Sequence, residues 1–123
     1  MYQRIEIIGR LGNIPDMRYT NDGLAVCTLS VATDRNYKQG DEWKTETTWF
    51  KVTCWGKLAE NCNKYLTKGS LVFVDGYLRK TKCWQHTSGE HQGEWDYSLE
   101  MTADIVKFLD SKKDKPAEEE LAF

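Results

Sequence analysis

Residues 48–55 carry the side chains whose types and spacing suggest chemistry most directly. In a strand, alternate residues face opposite sides, so Trp49, Lys51 and Trp55 share one face and apolar residues occupy the other. An indole left in water forgoes roughly 2 kcal/mol of burial, so we expect a partner to cover these rings. Flat rings stack on the bases of an unpaired nucleic-acid strand, and neighbouring cations meet its phosphates. This strand face is therefore a candidate surface for single-stranded nucleic acid.

Aromatic rings and cations occur together in two further segments. One contains Tyr37 and Trp43 with Arg35, Lys38 and Lys44, and in the other Trp84 follows Arg79, Lys80 and Lys82. The alternative is that these rings pack on the protein itself or across a subunit contact. Because the combination occurs in three separate segments, we favour nucleic-acid binding.

Hydropathy patterns predict five strands and one helix. Period-two alternation predicts strands over residues 2–11, 24–33, 48–55 and 70–83, and a last strand that includes Tyr97, Leu99 and Met101. Apolar residues on one helical face follow Gly56, and Gly69 closes this amphipathic helix in the C′ position. The order predicts an all-β fold, a five-stranded Greek-key barrel of the OB type with one short helix between strands 3 and 4. Periodicity alone leaves other small β-rich folds open.

Three local features complete this pattern. The polar residues 34–47 predict a long exposed loop or hairpin, and residues 85–93 predict a second loop. Gly9, inside the first strand, is a candidate position for a β-bulge.

Length and composition indicate one globular domain. The chain has 123 residues, of which 40% are hydrophobic and 12% aromatic, which excludes two full domains. We assign residues 1–109 to the domain and residues 110–123 to a flexible acidic tail. No apolar run approaches the roughly 20 residues of a membrane span, and the N-terminus lacks the apolar stretch of a signal peptide, so we expect a cytoplasmic protein. The four cysteines contain no CxxC pair, which favours reduced, structural thiols.

Charge is unevenly distributed along the chain. The formal net charge is -2, yet residues 1–82 carry thirteen Lys and Arg against nine Asp and Glu. Residues 83–109 carry one against five. A mildly basic body suits a polyanion, although a solvated surface alone would give the same imbalance.

Short motifs are spread over most of the predicted domain. They are IGRLG at 8–12, RYTNDG at 18–23, LSVAT at 29–33, TWFKV at 48–52, WGKLAE at 55–60, YLTKGS at 65–70, VDGYLR at 74–79 and AD at 103–104. Together they resemble the bacterial-type single-stranded DNA-binding proteins, whose OB folds bind through stacking platforms. The resemblance implies a sequence-tolerant, nucleoid-associated protein that coats and protects single-stranded DNA in replication, recombination and repair. It also implies a homotetramer in which first strands pair across an edge.

The resemblance assigns roles to particular side chains. The base-stacking residues are Tyr37, Trp49, Trp55 and Trp84. The phosphate contacts are Arg4, Arg18, Lys51, Lys57, Lys68 and Arg79. Trp84 lies one residue later than the family's spacing from Arg79 places it, and a one-residue bulge would bring its ring to the DNA face. Phe50 lies on the inward side of its strand, which predicts a core or subunit contact.

The C-terminal residues form an acidic run that ends in an aromatic residue. They are Glu118, Glu119, Glu120, Leu121, Ala122 and Phe123. A solvated tail is the simplest interpretation of such a run. The run also resembles the family's acidic tip, an Asp-rich segment ending in Ile-Pro-Phe, with Glu, Leu and Ala as substitutions. This resemblance implies docking of replication, recombination and repair proteins, which capture the terminal ring and carboxylate.

Catalytic and metal-binding motifs are not recognisable. Cys83, His86 and His91 do not have the spacing of a usual zinc site, and we find no nucleophile triad, paired carboxylates or phosphate-binding glycine loop. We therefore expect a protein that is not an enzyme and has no metal or cofactor. Two other classes remain open. One is an OB-fold module for RNA or for assembling a replication complex, and the other is an OB-fold nuclease.

Overall fold

The computed structural model describes residues 1–110, so residues 111–123, which include the expected acidic tip, lie outside the described residues. The described chain forms seven strands and one helix. In chain order they are β1 (Ile5–Leu11), β2 (Asp16–Tyr19), β3 (Ala25–Gln39), β4 (Glu42–Trp55), α1 (Gly56–Tyr65), β5 (Leu71–Leu78), β6 (Lys82–Gln85) and β7 (Trp95–Phe108).

Five of these strands close into a barrel. The pairing runs β1-β5-β7-β4-β3, and β3 pairs with β1 through Leu11 and Val31 to complete the ring. The β4–β7 pair is parallel and the other barrel pairs are antiparallel. Strand β2 extends the sheet beside β3, and β6 forms a hairpin with β7. The predicted five-stranded barrel with one short helix between its third and fourth strands is therefore confirmed.

The core fills the barrel from alternate positions of its strands. Its buried side chains include Ile7, Leu11, Cys27, Leu29, Val31, Val52, Cys54, Val72, Val74 and Met101. Helix α1 adds Ala59 and Cys62 from the side. Since β-strands alternate, every core position leaves its neighbours facing outwards, and those outward side chains form the candidate site.

The transition from β4 to α1 occurs without an irregular linker. Trp55 is the last residue of β4 and the N-cap of α1, and Gly56 follows with φ of 64°. This backbone conformation favours glycine and lets the chain turn sharply from strand to helix. The turn leaves the Trp55 side chain on the surface, 41% exposed.

Several local predictions differ from the structure. Gly9 makes no bulge. It pairs with Val72, and a Cβ there would meet the backbone carbonyl of Ala32, so a close approach of β1 and β3 explains this glycine. The bulge of this sheet lies instead between Asp75 and Gly76. Gly69 is not the C′ residue, because α1 ends at Tyr65 with Leu66 as its C-cap.

The cysteines are free, and three of them are buried. Burial raises the pKa of Cys27 to about 11. The Sγ atoms of Cys54 and Cys62 lie 3.9 Å apart, joining β4 to α1. Cys83 differs from the expectation of structural thiols because its side chain is exposed. No helix among the described residues is long and apolar enough to cross a membrane.

Candidate nucleic-acid interface

The β3–β4 pairing defines one surface, which we call the outer face. It carries Trp49, Lys51 and Trp55 of β4, and their cross-strand partners on β3 are Ala32, Ser30 and Val26. The intervening residues, such as Val52, point into the core. The alternation predicted from residues 48–55 thus corresponds to the two sides of this strand.

The ring of Trp49 packs against Gly12. Its indole is 54% exposed, and a Cβ at Gly12 would lie 2.5 Å from the ring atom Cζ3. The ring therefore rests against the backbone at the end of β1. One surface of the ring is supported by protein, and the side chain remains open to a ligand.

A groove of about 480 Å³ brings together aromatic and basic side chains from distant parts of the sequence. Its lining residues are Asn13, Thr28, Ser30, Trp49, Phe50, Lys51, Trp84, Tyr97 and Ser98. Two of the residues assigned to stacking, Trp49 and Trp84, and one assigned to phosphate, Lys51, share this groove. Phe50 packs against the core, as its inward position predicts, and also contributes to the groove.

Trp84 reaches this surface through the pairing of β6 with β7. Trp84 is opposite Asp96 and Lys82 is opposite Ser98, without a register shift. Further along β7, Glu100 lies beside Lys51 of β4. Residues two apart on a strand share a face, so Trp84 lies on the same side as Lys51. The expected bulge is absent from β6. Residues 79–81, which are not part of a strand, separate β5 from β6 and account for the extra residue between Arg79 and Trp84.

Tyr37 is placed differently from Trp49. In the continuous β3–β4 register Tyr37 is opposite Lys44, which puts it on the side of the hairpin that continues the core face. Its ring is partly buried, and the Arg35 guanidinium carbon lies 5.0 Å from the ring centroid. The structure therefore does not bring Tyr37 onto the outer face with Trp49 and Trp55.

Trp55 and Arg18 lie in one row across three strands. Arg18 of β2 is opposite Val26 of β3, and Val26 is opposite Trp55 of β4. Paired residues share a face, and adjacent strands are about 4.8 Å apart, so the cation and the indole lie on the same side of the sheet with Val26 between them, and their backbones are about 10 Å apart. Arg18 Nε lies 3.3 Å from Asp16 Oδ1, an exposed pair that is weak in water.

Two of the predicted cations are on or next to α1, and Arg79 lies at the end of β5. Lys57 is exposed, with Nζ 3.9 Å from Glu60 Oε1, and Lys68 is exposed in the segment that follows the helix. Arg79 donates its backbone N–H to the Glu100 carbonyl, and its Nη1 lies 3.5 Å from Thr102 Oγ1. None of these three residues lines the groove.

Arg4 is engaged within the protein. Its guanidinium donates to Asp75 and Asp104, each at 2.6 Å, and these hydrogen bonds raise the pKa of the arginine. The Arg4 side chain is 29% exposed. A phosphate contact here requires the guanidinium to bind a phosphate beside, or in place of, two carboxylates.

Several groove residues were not assigned from the sequence. They are Asn13, Thr28, Ser30, Tyr97 and Ser98. The signal for two of them was present, because Thr28 and Ser30 alternate with the apolar Cys27 and Leu29. Their proximity to Trp84 depends on which strands pair, and periodicity carries no information about that.

The histidines of the β6–β7 hairpin are paired with carboxylates. His86 Nε2 lies 3.2 Å from Asp96 Oδ2, and His91 Nδ1 lies 2.6 Å from Glu94 Oε2. The pKa of Asp96 is lowered because its carboxylate accepts the Tyr97 backbone N–H and the contact from His86. Within residues 1–110, no group of three or more His, Cys, Asp or Glu side chains is arranged to hold a metal ion.

Comparisons with known proteins identify a family for the chain. Residues 2–109 match the single-strand binding protein family. The chain is 38% identical over 118 residues to the "Single-stranded DNA-binding protein" of Thermotoga maritima, covering 95% of this chain and 78% of that protein. It is 36% identical over 107 residues to the "Single-stranded DNA-binding protein" of Treponema pallidum, covering 87% of this chain and 57% of that relative.

Proposed function

Because the chain belongs to the single-strand binding protein family, we propose that it binds single-stranded DNA on the outer face of its barrel. The observation that carries this proposal is the groove in which Trp49, Lys51 and Trp84 meet, although they come from two different hairpins. Bases stack on the two indoles, and the ammonium group binds the backbone. Arg18 and Trp55 continue the same surface toward β2.

The chemistry of this surface suits binding without sequence preference. Every base has a flat face, so stacking on indoles does not distinguish one base from another, and contacts with phosphates carry no sequence information. We therefore propose a protein that coats and protects exposed strands in replication, recombination and repair without hydrolysing them. The names of the two relatives support single-stranded DNA as the ligand.

Self-association into a homotetramer is part of the proposal. Strand β1 pairs with β5 from Ile5 to Arg10, but it pairs with β3 only at Arg10 and Leu11. One edge of residues 5–9 therefore has no strand partner within residues 1–110. An open edge of this kind accepts a second copy of the same strand.

Recruitment of partner proteins is assigned to the acidic tip. Residues 118–123 combine three carboxylates with an aromatic residue, a combination that fits a basic and apolar pocket. We propose replication, recombination and repair proteins as the partners, and a cytoplasmic location at the nucleoid.

Tryptophan fluorescence tests the DNA-binding proposal. Oligo(dT) should quench the emission and added salt should restore it, because indoles stack while cations displace counterions. Trp49→Ala and Trp55→Ala should each weaken binding by about 1–3 kcal/mol while the fold is retained. Equal affinity for a duplex and a single strand of the same length would contradict the proposal.

The same titration separates the two alternatives. Tighter binding to RNA than to DNA of equal length would indicate a module that reads the 2′-hydroxyl. Degradation of a labelled oligonucleotide with Mg²⁺ or Ca²⁺ would indicate a nuclease. Measuring the mass of the complex in the same experiment reports the number of subunits.

A further inference from the structure

The β3–β4 hairpin extends well beyond the barrel. Strand β4 pairs with β7 only from Phe50 to Thr53, whereas it pairs with β3 along its whole length from Glu42 to Trp55. The part of the hairpin before Phe50 is therefore a two-stranded ribbon in which β4 has β3 as its only strand partner within the described residues. Its outer face continues the outer face of the barrel.

A third indole lies on this continuation. Trp43 is opposite Lys38, and it precedes Trp49 by six residues, as Trp49 precedes Trp55. An even separation places all three rings on one side of the strand, at intervals of about 20 Å. The outer face of β4 thus presents a regular row of indoles that begins near the tip of the hairpin.

Trp43 is more exposed than Trp49. It is 72% exposed, against 54% for Trp49, and its indole makes no hydrogen bond or ring contact with any residue from 1 to 110. An indole in this position contributes nothing to the core. Its cross-strand neighbour Lys38 supplies a cation and forms no ion pair among the described residues, so ring and charge are both available to a ligand.

Short side chains occupy the surface between Trp43 and Trp49. Thr45 donates a hydrogen bond to Asn36 and Thr47 donates one to Asp34, both at 2.8 Å. These bonds hold the polar groups close to the sheet, so no bulky side chain separates the indoles. Asp34 is the one carboxylate on this stretch of the outer face, which favours bases over phosphates as the part of a strand that lies above it.

We propose that Trp43 is a further stacking position for single-stranded DNA, so that the bound strand continues from the groove along the outer face of the hairpin. This inference rests on the proposed function, and it extends the binding surface beyond the barrel. A strand must be long enough to pass from Trp49 to Trp43 before it gains this contact.

Oligonucleotide length is the variable that tests the inference. Affinities of the parent and of Trp43→Ala are measured for oligo(dT) of roughly 4 to 16 nucleotides, the range of site sizes of a single OB fold. The shortest strand should bind both proteins equally in the groove. The longest should bind Trp43→Ala about 5- to 150-fold more weakly, the loss expected for one base–ring stack. Trp43→Phe keeps a flat ring and should recover most of the affinity.

Trp95→Ala is the matched control. Trp95 is 68% exposed on the other hairpin, and it lies opposite Gln85, on the face of that hairpin away from Trp84. Its removal should leave affinity unchanged at every length. Unchanged thermal midpoints of the Trp43 variants would exclude an indirect effect through folding.

The outcomes separate this inference from the proposed function. If Trp43→Ala matches the parent at all lengths while Trp49→Ala binds weakly, the inference is wrong and the function stands. If Trp43→Ala weakens the shortest and longest strands equally, the extended path is also wrong. If neither Trp49→Ala nor Trp55→Ala weakens binding, the proposed stacking function itself fails.

Discussion

The position of a single indole depends on a residue that has no side chain. Trp49 lies against Gly12, and a methyl group there would occupy the space of the ring. Gly12 does not have a positive φ, so its backbone conformation does not require glycine. The contact with the Trp49 ring is what requires the absence of a side chain. A residue outside the aromatic set therefore controls how the ring is presented.

Gly12→Ala should displace the Trp49 indole and weaken oligo(dT) binding by up to the roughly 1–3 kcal/mol of one stacking contact. Fluorescence titration measures the change. The same substitution in a Trp49→Ala background should have no further effect, because the ring it moves is gone. Additive losses in the double variant would show that Gly12 acts by another route.

Arg4 and Arg18 provide a second comparison between single residues. Arg4 binds two carboxylates of the same barrel, whereas Arg18 lies beside Trp55 on the outer face. Arg4→Ala should lower the thermal midpoint slightly, because Asp75 and Asp104 lose two short, partly exposed hydrogen bonds to a shared cation. Arg18→Ala should lower oligo(dT) affinity and leave the midpoint unchanged. Thermal unfolding and a binding titration of both variants test this contrast, and a reversed pattern would contradict it.

In the β6–β7 hairpin, consecutive residues of β6 lie on opposite sides of the strand. Cys83 and Trp84 are consecutive, so the thiol and the indole lie on opposite sides of β6, and the cross-strand partner of Cys83 is Tyr97. The other three thiols are buried. Burial raises the pKa of Cys27, and the contact with Cys62 together with burial raises the pKa of Cys54. The same contact lowers the pKa of Cys62, but this thiol is fully buried and inaccessible to a reagent. Reactivity toward thiol reagents should therefore be concentrated at Cys83.

A maleimide should label one thiol per chain rapidly at neutral pH, and Cys83→Ser should abolish that label. Mass spectrometry counts the modified thiols. The labelled protein should retain stacking of oligo(dT) on Trp84, since the adduct lies beside Tyr97, on the side of β6 opposite the indole. Loss of binding after labelling, with Cys83→Ser unaffected, would place Cys83 in the groove.

The sequence predicted the individual β-strands better than it predicted which β-strands pair. Alternation in residues 48–55 correctly placed Trp49 and Val52 on opposite faces, because the side-chain period of a strand is local. The position of Trp84 in the groove and the ion pair between Arg4 and Asp75 both depend on barrel closure. Closure brings together residues that are far apart in the chain. Such contacts have no periodic signature, and Tyr97 was missed for the same reason.

At the scale of the whole molecule, net charge and binding surface are separate properties. The chain carries a net charge of -2, yet the outer face presents the cations Arg18 and Lys51, with Asp16 3.3 Å from Arg18 and Glu100 beside Lys51. A strand that approaches within roughly 10 Å is influenced mainly by this local field, because salt screens more distant charges. An acidic protein is therefore compatible with a polyanionic ligand.

Salt dependence measures how many cations contact phosphate. The combined variant Arg18→Gln with Lys51→Gln should reduce the slope of log affinity against log salt by about 1.4 in magnitude, since each contact with a single strand contributes about 0.7. Titrations at several salt concentrations give the slope. Lys107→Gln, beside Phe73 on β5, should leave it unchanged. An unaltered slope in the double variant would exclude these two contacts.

The parallel pairing of β4 with β7 also determines when the groove forms during folding. Groove residues extend from Asn13 to Ser98, and Trp84 is held beside β4 only after β7 has joined the barrel. Contacts between such distant parts of a chain form slowly, because a large loop must close first. A polypeptide still emerging from the ribosome therefore has the indoles of β4 but not yet the groove, which is complete only once β7 has docked.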